Sequence, residues 1–244
     1  MQSQFMKALQ FAEVRGYFET LEKIYGEVPS CSGCVRCKSC CSESVDLTYV
    51  EFLYILKRYF PTFDHITDLS ESLQKRLLKY YFLSYTKPQK CPFLLENGDC
   101  EIYEARPLTC RVFGTLNKSD YEANFVQITK QNIKIKNNLL KNVGSAPSNA
   151  MIYRKIPFCE YVKVNQYTSV EMKNEWMDKL IFMDSQIFFS DLMTDSQRHG
   201  NLVSYFMAIN DGGTPSVLNE QALLEIALGI MKDYNSHRSQ KQLK

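Results

Sequence analysis

Five of the chain's nine cysteines, Cys31, Cys34, Cys37, Cys40 and Cys41, fall within eleven residues. The spacers between them are small or polar. Such a stretch has no apolar period, so neither an amphipathic helix nor a core strand can order it. Disulfides, an inert thiol core or a metal are the available alternatives. An odd cysteine count in a chain of 244 residues weakens a disulfide framework. The opening MQSQFMKALQFAEVRGYFE carries charges where an export signal needs an unbroken apolar core, so a reducing, cytoplasmic setting is expected. Reduced thiols at this density point to metal, because the thiolate is a soft anionic donor suited to zinc and to iron–sulfur clusters.

Cysteines two residues apart can turn both sulfurs to one side of a tight loop, and Cys34-x-x-Cys37-x-x-Cys40 repeats that spacing without a gap. Adjacent side chains normally diverge, by about 100° on a helix or to opposite faces when extended. Cys40 and Cys41 are therefore expected to serve two metals, or one metal and a buried or redox role. One zinc or one cubane takes four protein ligands. Nine cysteines thus allow two closed sites with one thiol to spare, or one closed site and one with an open position. Cys91, Cys100 and Cys110 lie in a stretch broken by Pro92 and Pro107, where clustering favours ligands over buried structural thiols. Cys159 taken alone fits either role.

The rest of the chain reads as helical. Val14, Tyr17, Phe18, Leu21 and Tyr25 recur at helical spacing up to Gly26. Thr48 and Glu51 have capping-box spacing before a helix that is apolar nearly all round and ends at Pro61, so it should be buried. A further helix is predicted from about Ser70 to Tyr85, closed by Lys87-Pro88. Asn97-Gly98 marks a tight turn. Residues 121–136 show alternation that hints at strand, with helix as the alternative. Gly144 to Asn149 form a break. Thr168 and Glu171 suggest a capped helix reaching Leu192, followed by a short helix over 201–209, a turn at Asp211–Pro215 and a last amphipathic helix through Leu223, Ile226, Ile230 and Tyr234. The expectation is a mainly α fold, a helical domain with irregular cysteine-rich metal-binding loops between helices. It would be one domain over 1–244, with a metal-binding core at about 26–160 and a helical C-terminal part at about 165–236.

The cysteine segments together resemble a known pattern. Cys34-Val35-Arg36-Cys37-Lys38-Ser39-Cys40-Cys41 is similar to the CxxCxxCC signature of the YkgJ-like cysteine-cluster family of zinc- or iron-chelating proteins. Cys91-Pro92-Phe93-Leu94 and the stretch from Cys100-Glu101-Ile102-Tyr103 to Arg106-Pro107-Leu108-Thr109-Cys110-Arg111 resemble its second half. The resemblance spans roughly 31–115 and implies metal ligands drawn from Cys34, Cys37, Cys40, Cys41, Cys91, Cys100, Cys110 and Cys159, the last as the family's late cysteine. Cys31 is additional to the pattern. The chain departs from it where Gly is common before the paired cysteines and Lys38-Ser39 stands here, and where Pro is common after the Cys-Arg pair and Gly114 stands here.

The metal would be an iron–sulfur cluster or zinc. Flagellin lysine N-methylases carry a related region, so the alternative is an S-adenosylmethionine-dependent protein lysine N-methylase, or a redox enzyme using an iron–sulfur cluster. Against it, the chain is short for such a methylase and has no G-x-G-x-x-G loop. Cys31, Cys34, Cys37 and Cys41 also reproduce ferredoxin spacing, but Ser42 replaces the following Pro and no second copy occurs. Arg106 and Arg111 flank Cys110. They either balance the charge of thiolates or act blandly, Arg106 on backbone carbonyls and Arg111 in solvent. Tyr103 is expected to pack under the loop, and His65, His199 and His237 to be surface histidines. A net charge of +2 gives no argument for nucleic acid, and no apolar run reaches membrane-spanning length. A protein partner or protein substrate is the partner class left.

Overall fold

The computed structural model of the protein describes residues 4–29, 31–32, 38–42, 45–63, 68–84, 88–143, 149–193 and 201–208. The fold is mainly α. The Asp211–Pro215 turn, the last amphipathic helix and all three histidines lie outside the described residues.

The N-terminal helical stripe is two helices, α1 (Gln4–Val14) and α2 (Tyr17–Glu27). Gly16 between them has φ 68, a left-handed conformation that an L side chain resists, and this turns the chain. Val14 is consequently 80% exposed rather than part of the packed stripe, and α1 buries Phe5, Ala8 and Ala12 instead.

Helix α3 (Tyr49–Tyr59) is the centre of the packing. Every side chain from Tyr49 to Leu56 is buried. A helix apolar on all faces can be stable only if neighbours surround it, and α1, α2, α8 (Val170–Phe189) and α9 (Leu202–Ala208) all contact α3. Phe52 stacks on Tyr205 with ring centroids 5.0 Å apart and meets Phe206 edge-on, also at 5.0 Å. Helix α4 (Glu71–Leu83) packs on α9, with Ser70 as its cap accepting the Leu73 N–H at 3.3 Å.

The start of α3 is tied down by two carboxylates. Glu51 accepts the backbone N–H of Thr48 at 2.9 Å, as the capping-box spacing predicts. Asp184, reaching in from α8, accepts the N–H groups of Tyr49 at 2.7 Å and Val50 at 2.8 Å. A helix leaves its first N–H groups without intrahelical partners, so each bond here meets a real deficit.

Residues 118–143 form one helix, α6 (Lys118–Val143), and not a strand. No Gly or Pro interrupts 115–143, and the apolar–polar alternation is too short to outweigh that. Asn117 caps it, its Oδ1 accepting the Asp120 N–H at 2.8 Å. After α7 (Asn149–Ile152) the chain crosses back toward the start of the cysteine run. There Lys163–Val164 (β2) pairs antiparallel with Cys31–Ser32 (β1), Cys31 opposite Val164. Helix α8 begins one residue later than its expected cap. Ser169 accepts the Met172 N–H, while Thr168 bonds Thr115 across the chain at 2.8 Å. Among the described residues no helix is long and apolar enough to cross a membrane.

Candidate metal centre

Three short segments bring thiols together. The first is a 3-10 turn over Cys40–Ser42, entered through Lys38 at φ 62. A non-glycine residue with positive φ is uncommon. Lys38 therefore carries backbone strain at the entry to the turn.

The second segment runs from Cys91 to Cys100. The Cys91 N–H donates to the Cys41 carbonyl at 2.6 Å, which joins it directly to the first. Its two ends close through an isolated bridge between Leu94 and Cys100, with the Glu101 N–H donating to the Phe93 carbonyl at 2.8 Å. The Asn97-Gly98 turn forms as predicted, with Gly98 at φ 91. The Lys38 stem rests on this turn, its Cε 2.7 Å from where a Cβ would lie, and the left-handed backbone is what favours Gly there. Arg76 of α4 anchors the outer end, its Nη2 bonding Glu101 Oε2 at 2.7 Å.

The third segment is α5 (Leu108–Val112), which carries Cys110. It starts after Pro107, and its first free N–H, from Leu108, donates to Glu51 Oε1 at 2.7 Å. Tyr25 donates its hydroxyl to the same oxygen at 3.1 Å. Glu51 therefore couples α2, the start of α3 and the start of the cysteine-bearing α5. The sequence marks Glu51 as a capping residue. Nothing local marks its bond to Leu108, because that partner is 57 positions away.

Cys40, Cys41, Cys91, Cys100 and Cys110 are all free thiols, and the charge of Cys40 is felt at Cys91, Cys100 and Cys110. The sulfurs of Cys40 and Cys41, expected to diverge, stand 3.9 Å apart. The 3-10 turn winds them onto one side. The contact between the two sulfurs holds the Cys40 thiol down at about 6 and pushes Cys41 up. Burial pushes Cys91 up to about 12 and raises Cys100 and Cys110 as well, with charge on Cys40 adding to the effect on all three. Cys159 is buried against Gly114, where a Cβ would come within 3.3 Å of Cys159 Cβ. Cys34 and Cys37 lie outside the described residues. Among the described residues no three Cys, His, Asp or Glu side chains form a ready ligand cage.

The donors nevertheless suit a soft divalent metal. Bonds of ~2.3 Å to tetrahedral zinc put neighbouring thiolates about 3.8 Å apart, close to the Cys40–Cys41 separation. Buried thiols that resist ionisation in the protein alone need a strong local cation to become thiolates, and a metal supplies one.

Neither arginine follows the bland alternative, in which Arg106 bonds carbonyls and Arg111 is solvated. Arg111 is the one that binds carbonyls, Nε to Arg106 O at 2.9 Å and Nη2 to Glu104 O, with its guanidinium 3.9 Å over the Tyr25 ring. Arg106 lies 4.2 Å over Tyr103, and its Nε is buried with no partner. Tyr103 is 51% exposed, so it forms an outer wall rather than packing under the loop.

No curated protein and no solved structure matches the chain. One family model does, over the part that holds these three segments. Residues 33–131 match the model of the CxxCxxCC family, described as a putative zinc- or iron-chelating domain.

Proposed function

We propose that the protein binds a single zinc or iron ion through thiolates contributed by both cysteine segments. The observation that carries this reading is the approach of Cys40 and Cys41 to 3.9 Å beside Cys91, whose N–H bonds Cys41 O. A mononuclear ion asks two thiolates to share a tetrahedral edge. In a cubane each cysteine ligates a different iron, so the same closeness is not required. Ligands beyond this pair come from Cys91, Cys100 and Cys110, with Cys34 and Cys37 from the same loop and Cys159 as a further candidate. Bound there, the ion would act as a staple between residues 34–41 and 91–110.

The protein's own groups would hold the ligands in place. Glu51 fixes α5, and through it Cys110, by accepting the Leu108 N–H. The Cys91–Cys41 backbone bond fixes two loops to each other. The Lys38 stem over Gly98 keeps the Cys40 turn against the turn preceding Cys100.

Protein prepared without oxygen, then assayed for zinc, iron and acid-labile sulfide, tests the reading. One equivalent of zinc or iron without sulfide is expected. Removing it by chelation should lower the melting temperature, because binding free energy is also folding free energy. Stoichiometric sulfide would replace the single ion by a cluster. A chain that folds normally while holding neither metal would refute both.

A further inference from the structure

We propose that the outer face of α8, with the groove beside it, is the surface on which two copies of this chain pair about a twofold axis. The inference is independent of the metal reading, since none of its residues comes from a cysteine segment.

Helix α8 commits one stripe to the core, where Trp176, Leu180, Met183 and Ile187 are buried. Its second half carries further large apolar residues off that stripe. Phe182 is 63% and Phe189 75% exposed, with Ile181 exposed beside them. Seven positions apart, the two phenylalanines share a face and stand about 10 Å apart along the axis. Phe189 is braced by Phe188, ring centroids 5.6 Å apart. Single exposed apolar residues are ordinary, whereas several on one helix face mark an interaction site. Phe182 also lines, with Tyr17 and Met183, a groove of about 430 Å³ between α8 and the start of α2. That volume has room for an aromatic ring from outside.

Charge identifies the occupant. Arg15 and Asp178 line the same groove, yet neither makes an ion pair with any described residue. Glu175 and Lys179 at the same groove are already paired with each other at 2.9 Å. The Arg15 guanidinium lies instead 5.2 Å over the Phe11 ring. A partner of one charge sign satisfies one of these two ions and repels the other. A second copy presents both. In a twofold contact residue i meets j and j meets i, so Arg15 faces the partner's Asp178 and Asp178 faces the partner's Arg15. The same operation lays the two α8 faces on each other. Covering Ile181, Phe182 and Phe189 buries on the order of 400 Å² per copy, about half of what a standard interface takes from each partner, and the groove walls and ion pairs form the rim.

Sedimentation equilibrium of the full chain, prepared without oxygen so that no disulfide links copies, tests the pairing. Wild type should be a dimer. Phe182→Ser with Phe189→Ser should weaken self-association by about 100-fold or more. Asp178→Arg alone should weaken it by about 10-fold, and adding Arg15→Asp should restore it, because the reversed ions pair again across the axis. Circular dichroism checks that each variant folds, and if the Ser variant does not, the charge reversal decides. A wild-type chain that stays monomeric up to about 100 μM would overturn the proposal. So would a dimer indifferent to the Ser substitutions, or one that the double charge reversal fails to restore. A monomer whose urea midpoint drops in the Ser variant would overturn it too, since the face would then be covered by the chain itself.

Discussion

Helices α3 and α6 are opposite answers to the same problem. Helix α3 has 11 residues, and eight consecutive ones are buried. Helix α6 has 26, and among its described side chains none is buried. At about 1.5–3 kcal/mol for each large apolar side chain fully buried, the short helix supplies much of the stabilising burial and the long one little. Helix α6 is held at its edges, by the Asn117 cap and by Tyr121, whose hydroxyl donates to Ile156 O at 2.7 Å. The candidate metal site sits on the α3 side of this divide. Its third segment bonds Glu51, and Phe93, Ile102 and Leu108 join the α3 core cluster. Candidate ligand loops that lack an apolar period thus borrow their rigidity from α3, which is apolar nearly all round.

Glu51→Leu should produce the largest break in this arrangement. It keeps the volume but strands the N–H groups of Thr48 and Leu108 and the Tyr25 hydroxyl, all buried or bonded to a residue only 1% exposed. Each stranded buried donor costs ~1–3 kcal/mol, so a total loss of about 3–5 kcal/mol is expected. Urea unfolding measures it. A loss below about 1 kcal/mol would mean that α3 does not organise α5 through this carboxylate.

Asp184→Asn sharpens the comparison through pH. Burial pushes the Asp184 carboxyl up to about 7, although two backbone N–H groups favour its charged form. The folded state then holds a proton that the unfolded chain gives up near pH ~4. On this account stability is greatest below that value, falls as pH rises toward 7, and is level above it. The Asn variant has no such proton and should flatten the fall. Glu51, also raised by burial and close enough to repel Asp184, has the same sign and leaves a residual slope. Urea midpoints across the window, for both proteins, give the two slopes. Equal slopes would exclude a preferentially protonated Asp184.

The sequence made α3 legible because two local signals agree there, the Thr48/Glu51 spacing and a continuous apolar run. The start of α4 near Ser70 was legible from its apolar stripe, and the Asn97-Gly98 turn from its residue types. Gly16 was less so, since a helical stripe can cross a single glycine and only packing shows that it does not. At the site, the cysteines announced their chemistry by type and spacing. The convergence of Cys40 and Cys41 did not show, because it depends on a 3-10 turn entered through left-handed Lys38. The separate placements of Arg106 and Arg111 did not show either. Both residues can bind carbonyls or balance charge, and only their tertiary neighbours, Tyr103 and Tyr25, separate them.

The smallest expected effect belongs to α6. Val126 is 51% and Leu140 47% exposed, so replacing either by Ser removes little buried surface. Exposed substitutions of this kind usually stay within about 0.5 kcal/mol, and Ser lowers helix propensity only slightly relative to Leu. The paired variant Val126→Ser, Leu140→Ser should therefore leave the urea midpoint nearly unchanged and leave metal content untouched. By contrast, Phe52→Ala in α3 should cost about 3–5 kcal/mol. If the α6 double variant instead lost more than about 2 kcal/mol, these two side chains would have to be covered in solution, and the contrast between a packed short helix and an open long one would fail.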